Sequence, residues 1–467
     1  MWFVYFVVAR GGLCRLPSRA GQVRTGPMCT RVPAAEAAPS GSASLAYPAR
    51  SPWWYVPSLY LQQGLPVIII QQVSVVMYKK LGIANDRIGL WTSLIIWPWI
   101  LKMLWAPGLD LYGRKRTWVL VMQAFIIAFL GGAALAITTQ SFLAITLGLF
   151  FLTAFLSATH DIALDGYYML ALPKKVQAFF AGIRTTFFRV AMVFSNGFLV
   201  MVAGYYEKEG LPIPQTWRIA LLVGTGTYGL LLLYAMFAMP VVAHDGPVRQ
   251  TVSRKGEASF FEIIRSFFTL PRIIPILLFI LLYRFGESML TKMAGPFMLD
   301  PNAKGGLGLS TLQIGMILGN VGTICLVVGG LLGGIAIARF GLRKCIWPML
   351  LTMTFPNYFY IWAAYAFPRL SFVCVLTAVE YFSYGFGMAA YMIFGMYCSQ
   401  RSQYATSHYA IVTGIMALCA MVAGIISGYL QQAVGYFWFF VCVCAATIPG
   451  IIVTLFIPLD VGDEPKV

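Results

Sequence analysis

Residues 106–116 read APGLDLYGRKR, and residues 333–344 read GGIAIARFGLRK. Each follows a long apolar run and ends in clustered cations. Aligning Gly113 with Gly341 brings Gly108 onto Ala336 and Arg116 onto Lys344. Small residues let helices approach closely, glycine permits the tight turn, and the cations hold such a loop in the cytosol. One copy alone carries little weight. Two copies, after the second and the eighth apolar runs, predict a chain built twice over on a six-plus-six plan.

The composition sets the setting for that plan. The chain has 467 residues, of which 59% are hydrophobic and only 10% charged, against about a quarter charged in a soluble domain. Runs of ~20 apolar residues, enough to cross a bilayer core, recur along it. An outer-membrane barrel would instead alternate over ~10-residue segments. The expected fold class is all-α, a polytopic membrane protein with twelve transmembrane helices in two pseudo-symmetric six-helix bundles. The formal charge of +17 does not point to nucleic acid, because Arg114 to Arg116, Lys174 and Lys175, Arg254 and Lys255, and Arg343 and Lys344 all fall between apolar runs. The nine cysteines are scattered without a CxxC, and read as buried thiols rather than disulfides or metal ligands.

Hydropathy places the spans near 53–78, 87–109, 116–137, 141–171, 177–204, 217–239, 273–298, 311–336, 345–366, 370–395, 405–430 and 436–458. Lys and Arg in the short loops put both termini on the cytoplasmic side. Residues 53–239 and 273–458 form the two expected bundles. Residues 240–272 link them and hold an amphipathic helix, with Phe260, Phe261, Ile264, Phe267 and Phe268 at helical spacing. Residues 459–467 make a cytoplasmic tail. Residues 1–52 read as a disordered basic extension, either a cleaved targeting peptide or sequence upstream of a start at Met28; the first fifty carry six arginines and one acid, Glu36.

The fourth run carries an anomaly: SATHDIALDGYYMLAL, residues 157–172, sets Asp161 and Asp165 in an apolar helix. A carboxylate at the bilayer centre costs ~2.5–3.5 kcal/mol on insertion scales unless paired, protonated or wet. Spacing of four puts both on one face. Folding spans four and five about Pro173–Val176 as a hairpin brings Asp165 level with Arg184, and Asp161 roughly level with Arg189. The expectation is a ladder of two acids and two guanidinium groups, lining a water-filled path or else pinning the hairpin and closing a gate with Lys102 and Asp110. His160 points to another face, where a hydrogen-bonding role fits better than a proton relay.

The second half has its own charges. Arg284 and Glu287 are spaced three apart, as neighbours on one helix face. Glu380 has no cation in its own span and is the better protonatable candidate. Lys292 is expected further out, snorkelling to the interface or meeting an anionic solute at an entrance. Pro66, Pro98, Pro107, Pro296 and Pro356, with Gly385 and Gly387, offer places to bend.

These residues resemble a known family. The two loops resemble the inter-helix signature of the major facilitator superfamily, with Asp110 at the acidic position of the first copy and Ala338 there in the second. Lys102, Leu104, Trp105, Ala106, Pro107, Asp110, Arg114 to Arg116 and Trp118, then Ala158, Thr159, Asp161, Ile162, Asp165, Gly166 and Tyr167, then SQYATSHYAIVTGIMAL (402–418), are similar to the AmpG-type muropeptide permeases and the related acetyl-coenzyme A transporters. The resemblance covers about 53–458. His160 stands where Gln is usual, and Tyr168 to Leu170 replace a more polar continuation. Siderophore importers share much of the pattern.

The resemblance implies a proton-driven secondary transporter of the inner membrane, a permease carrying a wall fragment, amino-sugar or similar solute as symport, with Asp161 and Asp165 essential. Residues and resemblance together assign proton coupling to Asp161, Asp165 and Glu380. Arg184, Arg189, Arg284, Glu287 and His160 fall to the cavity or its ion pairs. Lys102, Asp110, Gly113, Arg114, Arg116, Gly341, Arg343 and Lys344 fall to a cytoplasmic gate. The expected partners are a small solute, protons and the bilayer, with no nucleic acid, no cofactor and no metal, and the expected state is a monomer. No HExxH, GxSxG or P-loop falls in a loop, so an enzyme is not expected. Uncoupled or exporting transport of another solute, or a non-transporting sensor, are the alternatives.

Overall fold

The structure is a computed structural model describing residues 50–106, 109, 113–242, 245, 260–400 and 405–458. Among these there is no strand. Among the described residues nine helices are long and apolar enough to cross a membrane; the last holds two spans, and two further spans are each broken into shorter helices, giving twelve. Spans 1, 3, 4 and 6 are Pro52–Lys80, Lys115–Ala136, Phe142–Ala171 and Ile213–Ala238. Span 5 runs through Lys174–Met192, Val193–Leu199 and Val200–Lys208. Span 10 is Leu370–Gln400. Ala405–Thr454 holds spans 11 and 12, turned at Gly435, whose φ of 74° leaves the helix.

Spans 2, 7 and 9 are broken. Span 2 divides into Asn85–Leu94, Trp97–Leu101 and Lys102–Leu104, the break falling just before Pro98. Span 9 divides at Phe355–Pro356 into Leu342–Thr354 and Asn357–Ala366. In both, proline withdraws a backbone donor and the helix cannot run on. Span 7 divides at Tyr283–Arg284 into Ile273–Leu282 and Phe285–Leu299 with no proline at the break. Span 8 begins at Thr311 and ends at Phe340, and its opening is π-helical over Gly315–Gly322.

Gly113 and Gly341, aligned above from sequence, both adopt a positive φ, 76° and 78°. They lie on what is called here the near face; the turn at 81–84 lies on the far face. The helix Phe260–Phe268 seats Phe267 in an apolar cluster with Ile276 and Phe279, and Ser266 hydrogen-bonds His408 at the start of span 11 (2.9 Å). The apolar stripe that the sequence placed between the halves is thus packed partly against span 11.

Spans 1–6 meet spans 7–12 through glycines. A Cβ on Gly319 would fall on the backbone of Gly197, and one on Gly428 on that of Asn85 and Gly89. Contacts this close need residues without side chains.

Candidate functional site

Asp165 is the hub of the near half. Its Oδ1 accepts hydrogen bonds from Arg184 of span 5 and from the Tyr60 hydroxyl of span 1, the latter at 2.9 Å. The guanidinium also lies over the rings of Tyr60 (4.2 Å) and Tyr168 (4.5 Å). Three spans thus converge on one carboxylate, although its side chain keeps 43% of its accessible surface. The Asp165–Arg184 rung expected from the hairpin is present.

The second rung is not. Asp161 pairs with Lys102 of span 2, while Arg189 reaches Met192 Sδ (3.3 Å) and the electrostatic range of Tyr384 on span 10. The hairpin argument matched depth and ignored rotation. Five residues turn a helix through about 500°, so Arg189 points about 140° away from Arg184. Asp161, four residues from Asp165, stays within about 40° of it.

His160 is fully buried and contacts Gln123 Nε2 at 3.1 Å, while that amide also bonds Gln62. It belongs to packing among spans 1, 3 and 4. On the near face, Arg116 donates to the carbonyls of Met239 (3.2 Å) and Met236 (2.8 Å), tying span 3 to the end of span 6. Lys115 Nζ donates to Leu109 O at 2.8 Å. Asp245, which the sequence reading passed over, accepts from the backbone N–H groups of Lys115 (2.6 Å) and Arg116 (2.9 Å), so a carboxylate from the linker caps the start of span 3. Gly113, Arg114, Gly341, Arg343 and Lys344 lie at the corresponding turns and helix starts. Asp110 lies outside the described residues.

In the second half Arg284 and Glu287, spaced as helix neighbours, form no ion pair. Arg284 sits in the break of span 7 (φ −111°, ψ 3°), so the three-residue helical register that would join them does not apply. Its guanidinium lies over Tyr384 at 5.0 Å, and both oxygens of Glu287 are buried without a hydrogen-bond partner. Glu287 is an electrostatic neighbour both of Arg284 and of Glu380, whose Oε2 accepts from the Tyr360 hydroxyl at 2.7 Å. Two acids from spans 7 and 10 share one buried region.

A cavity of ≈ 180 Å³ lies between the halves. Span 1 brings Gln71 and Gln72 to it, spans 2 and 5 bring Ser93 and Asn196, and span 7 brings Arg284, Ser288, Thr291 and Lys292. Lys292 was expected at the interface, and the structure turns it inward. Irregular backbone gathers here: π-helical turns at Ile69–Val73, Val193–Leu199 and Gly315–Gly322, and the breaks at Ile95–Ile96 and Tyr283–Arg284. Non-helical backbone at membrane depth is tolerated where it is buried in protein or lines a cavity.

The far end is closed by polar contacts between the halves. Lys79 pairs with Asp300 (2.6 Å) and donates to Asn85 Oδ1 (2.8 Å). Asn85 donates to Gln431 (2.6 Å) and to the Tyr436 hydroxyl (2.9 Å), and that hydroxyl donates to Asp300 (2.6 Å). Glu207, paired with Lys80 (2.5 Å), accepts from the Thr311 hydroxyl. None of these residues stood out in the sequence, because polar groups at span ends are the ordinary dress of an interface.

Comparison with known proteins adds the following. The model of the family described as "Major Facilitator Superfamily" matches residues 65–428. An uncharacterized protein of Haemophilus influenzae is 27% identical over 83% of this chain and 90% of its own length. The anhydromuropeptide permease of Escherichia coli K12 is 24% identical over 84% of this chain and 77% of its own. Among solved structures, a bacterial homolog of the human lysosomal transporter Spinster, inward-facing and unoccupied, superposes with a TM-score of 0.63 over 88% of this chain and 97% of its own, at 16% identity. That last likeness speaks to the fold.

Proposed function

The chain belongs to the major facilitator superfamily, and on that premise we propose that this multi-pass membrane transporter imports a muropeptide, amino-sugar or similar polar solute together with protons, by alternating access. The observation that carries the reading is Asp165: a carboxylate shared by Tyr60 and Arg184, inside the spans, with its side chain still open. Protonating it weakens the hold on Arg184 and frees spans 1, 4 and 5 to move apart. Asp161 lies one turn away on the same face, paired with Lys102. Glu380 with Glu287 forms a second protonatable pair in the other half.

Spans 53–239 and 273–458 act as two rocking bodies joined by the 240–272 linker, moving about the cavity between them. With the far end latched and Asp165 accessible, the state described opens toward the near face. The cation-rich loops assign that face, and both termini, to the cytoplasm. Arg116, with Lys102, Gly113, Arg114, Gly341, Arg343 and Lys344, then serves the near-face gate when the molecule turns over. Likeness to the anhydromuropeptide permease supports the solute class. Proteoliposomes with an imposed pH gradient test the coupling: labelled muropeptide accumulates only when the gradient is present, and uptake indifferent to it removes the protons from the reading.

A further inference from the structure

The cavity between the halves is lined by two cations, Arg284 and Lys292, and by no acid. Both come from span 7, as does Ser288 between them in the chain, and all three line the cavity. Among the described residues no carboxylate lies within ion-pair distance of either cation, in contrast to Lys79–Asp300, Lys80–Glu207, Lys102–Asp161 and Arg184–Asp165. Arg284 Nε and the Ser288 hydroxyl are buried without a hydrogen-bond partner. Lys292 Cε lies beside Gly424 of span 11, in ordinary contact range of where a Cβ would stand (3.6 Å), while the same Cβ would collide with Ser93 of the cavity wall.

A cation inside a membrane protein is costly and is normally balanced by an acid, a backbone carbonyl or water. Glu287 lies within electrostatic range of Arg284 but is not among the lining residues, and Lys292 has no charged neighbour of this kind. The charge surplus therefore faces the cavity.

We infer that this cavity binds an anionic group of the transported solute, a carboxylate or a phosphate, between Arg284, Ser288 and Lys292. The site suits either two acidic groups or one that the two long side chains converge upon. Arg284 offers a planar fork to it and Lys292 a point charge, and charge-assisted bonds of this kind are roughly twice as strong as neutral ones. The inference rests on the transporter reading and narrows it: a neutral amino-sugar is a poor ligand.

The test uses the full chain in lipid nanodiscs and three probes differing in one group: N-acetylglucosamine, which is neutral; N-acetylmuramic acid, the same sugar with a carboxylate; and N-acetylglucosamine 6-phosphate. The shift in melting temperature against concentration reads binding. At least one acidic probe is expected to bind tenfold or more tighter than the neutral sugar, and which of the two it is separates carboxylate from phosphate. Lys292→Gln removes that preference, and Lys292→Arg retains most of it. Should Lys292→Gln not yield monodisperse protein, Arg284→Gln gives the same reading. Equal binding of neutral and acidic probes, a preference that survives both glutamine variants, or no binding of any probe overturns the inference. Uptake into proteoliposomes keeps the two readings apart. An acidic probe that binds but never crosses sinks the transporter and leaves the anion site. A neutral sugar accumulated as well as its acidic partners does the reverse.

Discussion

Lys79 at the end of span 1 and Asp300 at the end of span 7 form an ion pair of 2.6 Å that joins the two halves of the molecule, with side chains only 12% and 9% exposed. Both are held by further partners, Lys79 by Asn85 and Asp300 by Tyr436. Breaking a buried pair by removing one member costs ~3–5 kcal/mol, because the other charge is left without compensation. Under the alternating access proposed above this closure must open, and its energy then sets the balance between the two states.

Asp300→Asn is expected to shift that balance toward a far-side opening. A cysteine placed at Ser93 in the cavity then reacts with a membrane-impermeant maleimide from the far face at least fivefold faster than in the parent. The charge exchange Lys79→Asp with Asp300→Lys returns the rate toward the parent value. Unchanged labelling in Asp300→Asn means the latch does not hold the closed state.

Lys102 and Asp161 form a pair within the first half. Losing either one leaves a lone charge in the membrane, at ~2.5–3.5 kcal/mol on insertion scales. Lys102→Met alone should lower the melting temperature and the yield of folded protein. Lys102→Met with Asp161→Asn should recover most of both, as thermal unfolding in detergent can measure. Equal losses in the single and double variants would show that the two side chains do not depend on each other.

Phe267 anchors the helix Phe260–Phe268, fully buried against Ile276 and Phe279. Truncating a buried phenylalanine to alanine costs ~3–5 kcal/mol. Phe267→Ala is expected to melt at a lower temperature, whereas Phe268→Ala, on the half-exposed side, changes the melting point little. Similar effects from the two substitutions would mean the helix is not docked as described.

Much of this was legible in the sequence, for reasons that can be named. The spans follow from apolar length, and the duplicated loop from Gly113 and Gly341, whose φ values of 76° and 78° agree. Asp165 and Arg184 could be matched because both lie near the turn, where depth fixes position. Further in, the rotation of each helix decides the partner, and Arg189 was misplaced for that reason. The break at Tyr283–Arg284 has no proline to announce it; it takes Arg284 out of helical register with Glu287. Lys79 and Asn85 flank one turn, but Asp300 and Tyr436 come from two other parts of the chain, and only the packed halves bring the three together.

The most direct test of the account is proton-coupled accumulation by Asp165→Asn. The neutral amide keeps the shape of the carboxylate and can still accept from Tyr60, but it cannot exchange a proton. With folded protein in proteoliposomes and an inward pH gradient, concentrative uptake should fall to the level seen without a gradient, while solute exchange at equal concentrations on both sides persists. Accumulation by Asp165→Asn equal to that of the parent would contradict the role given to this carboxylate.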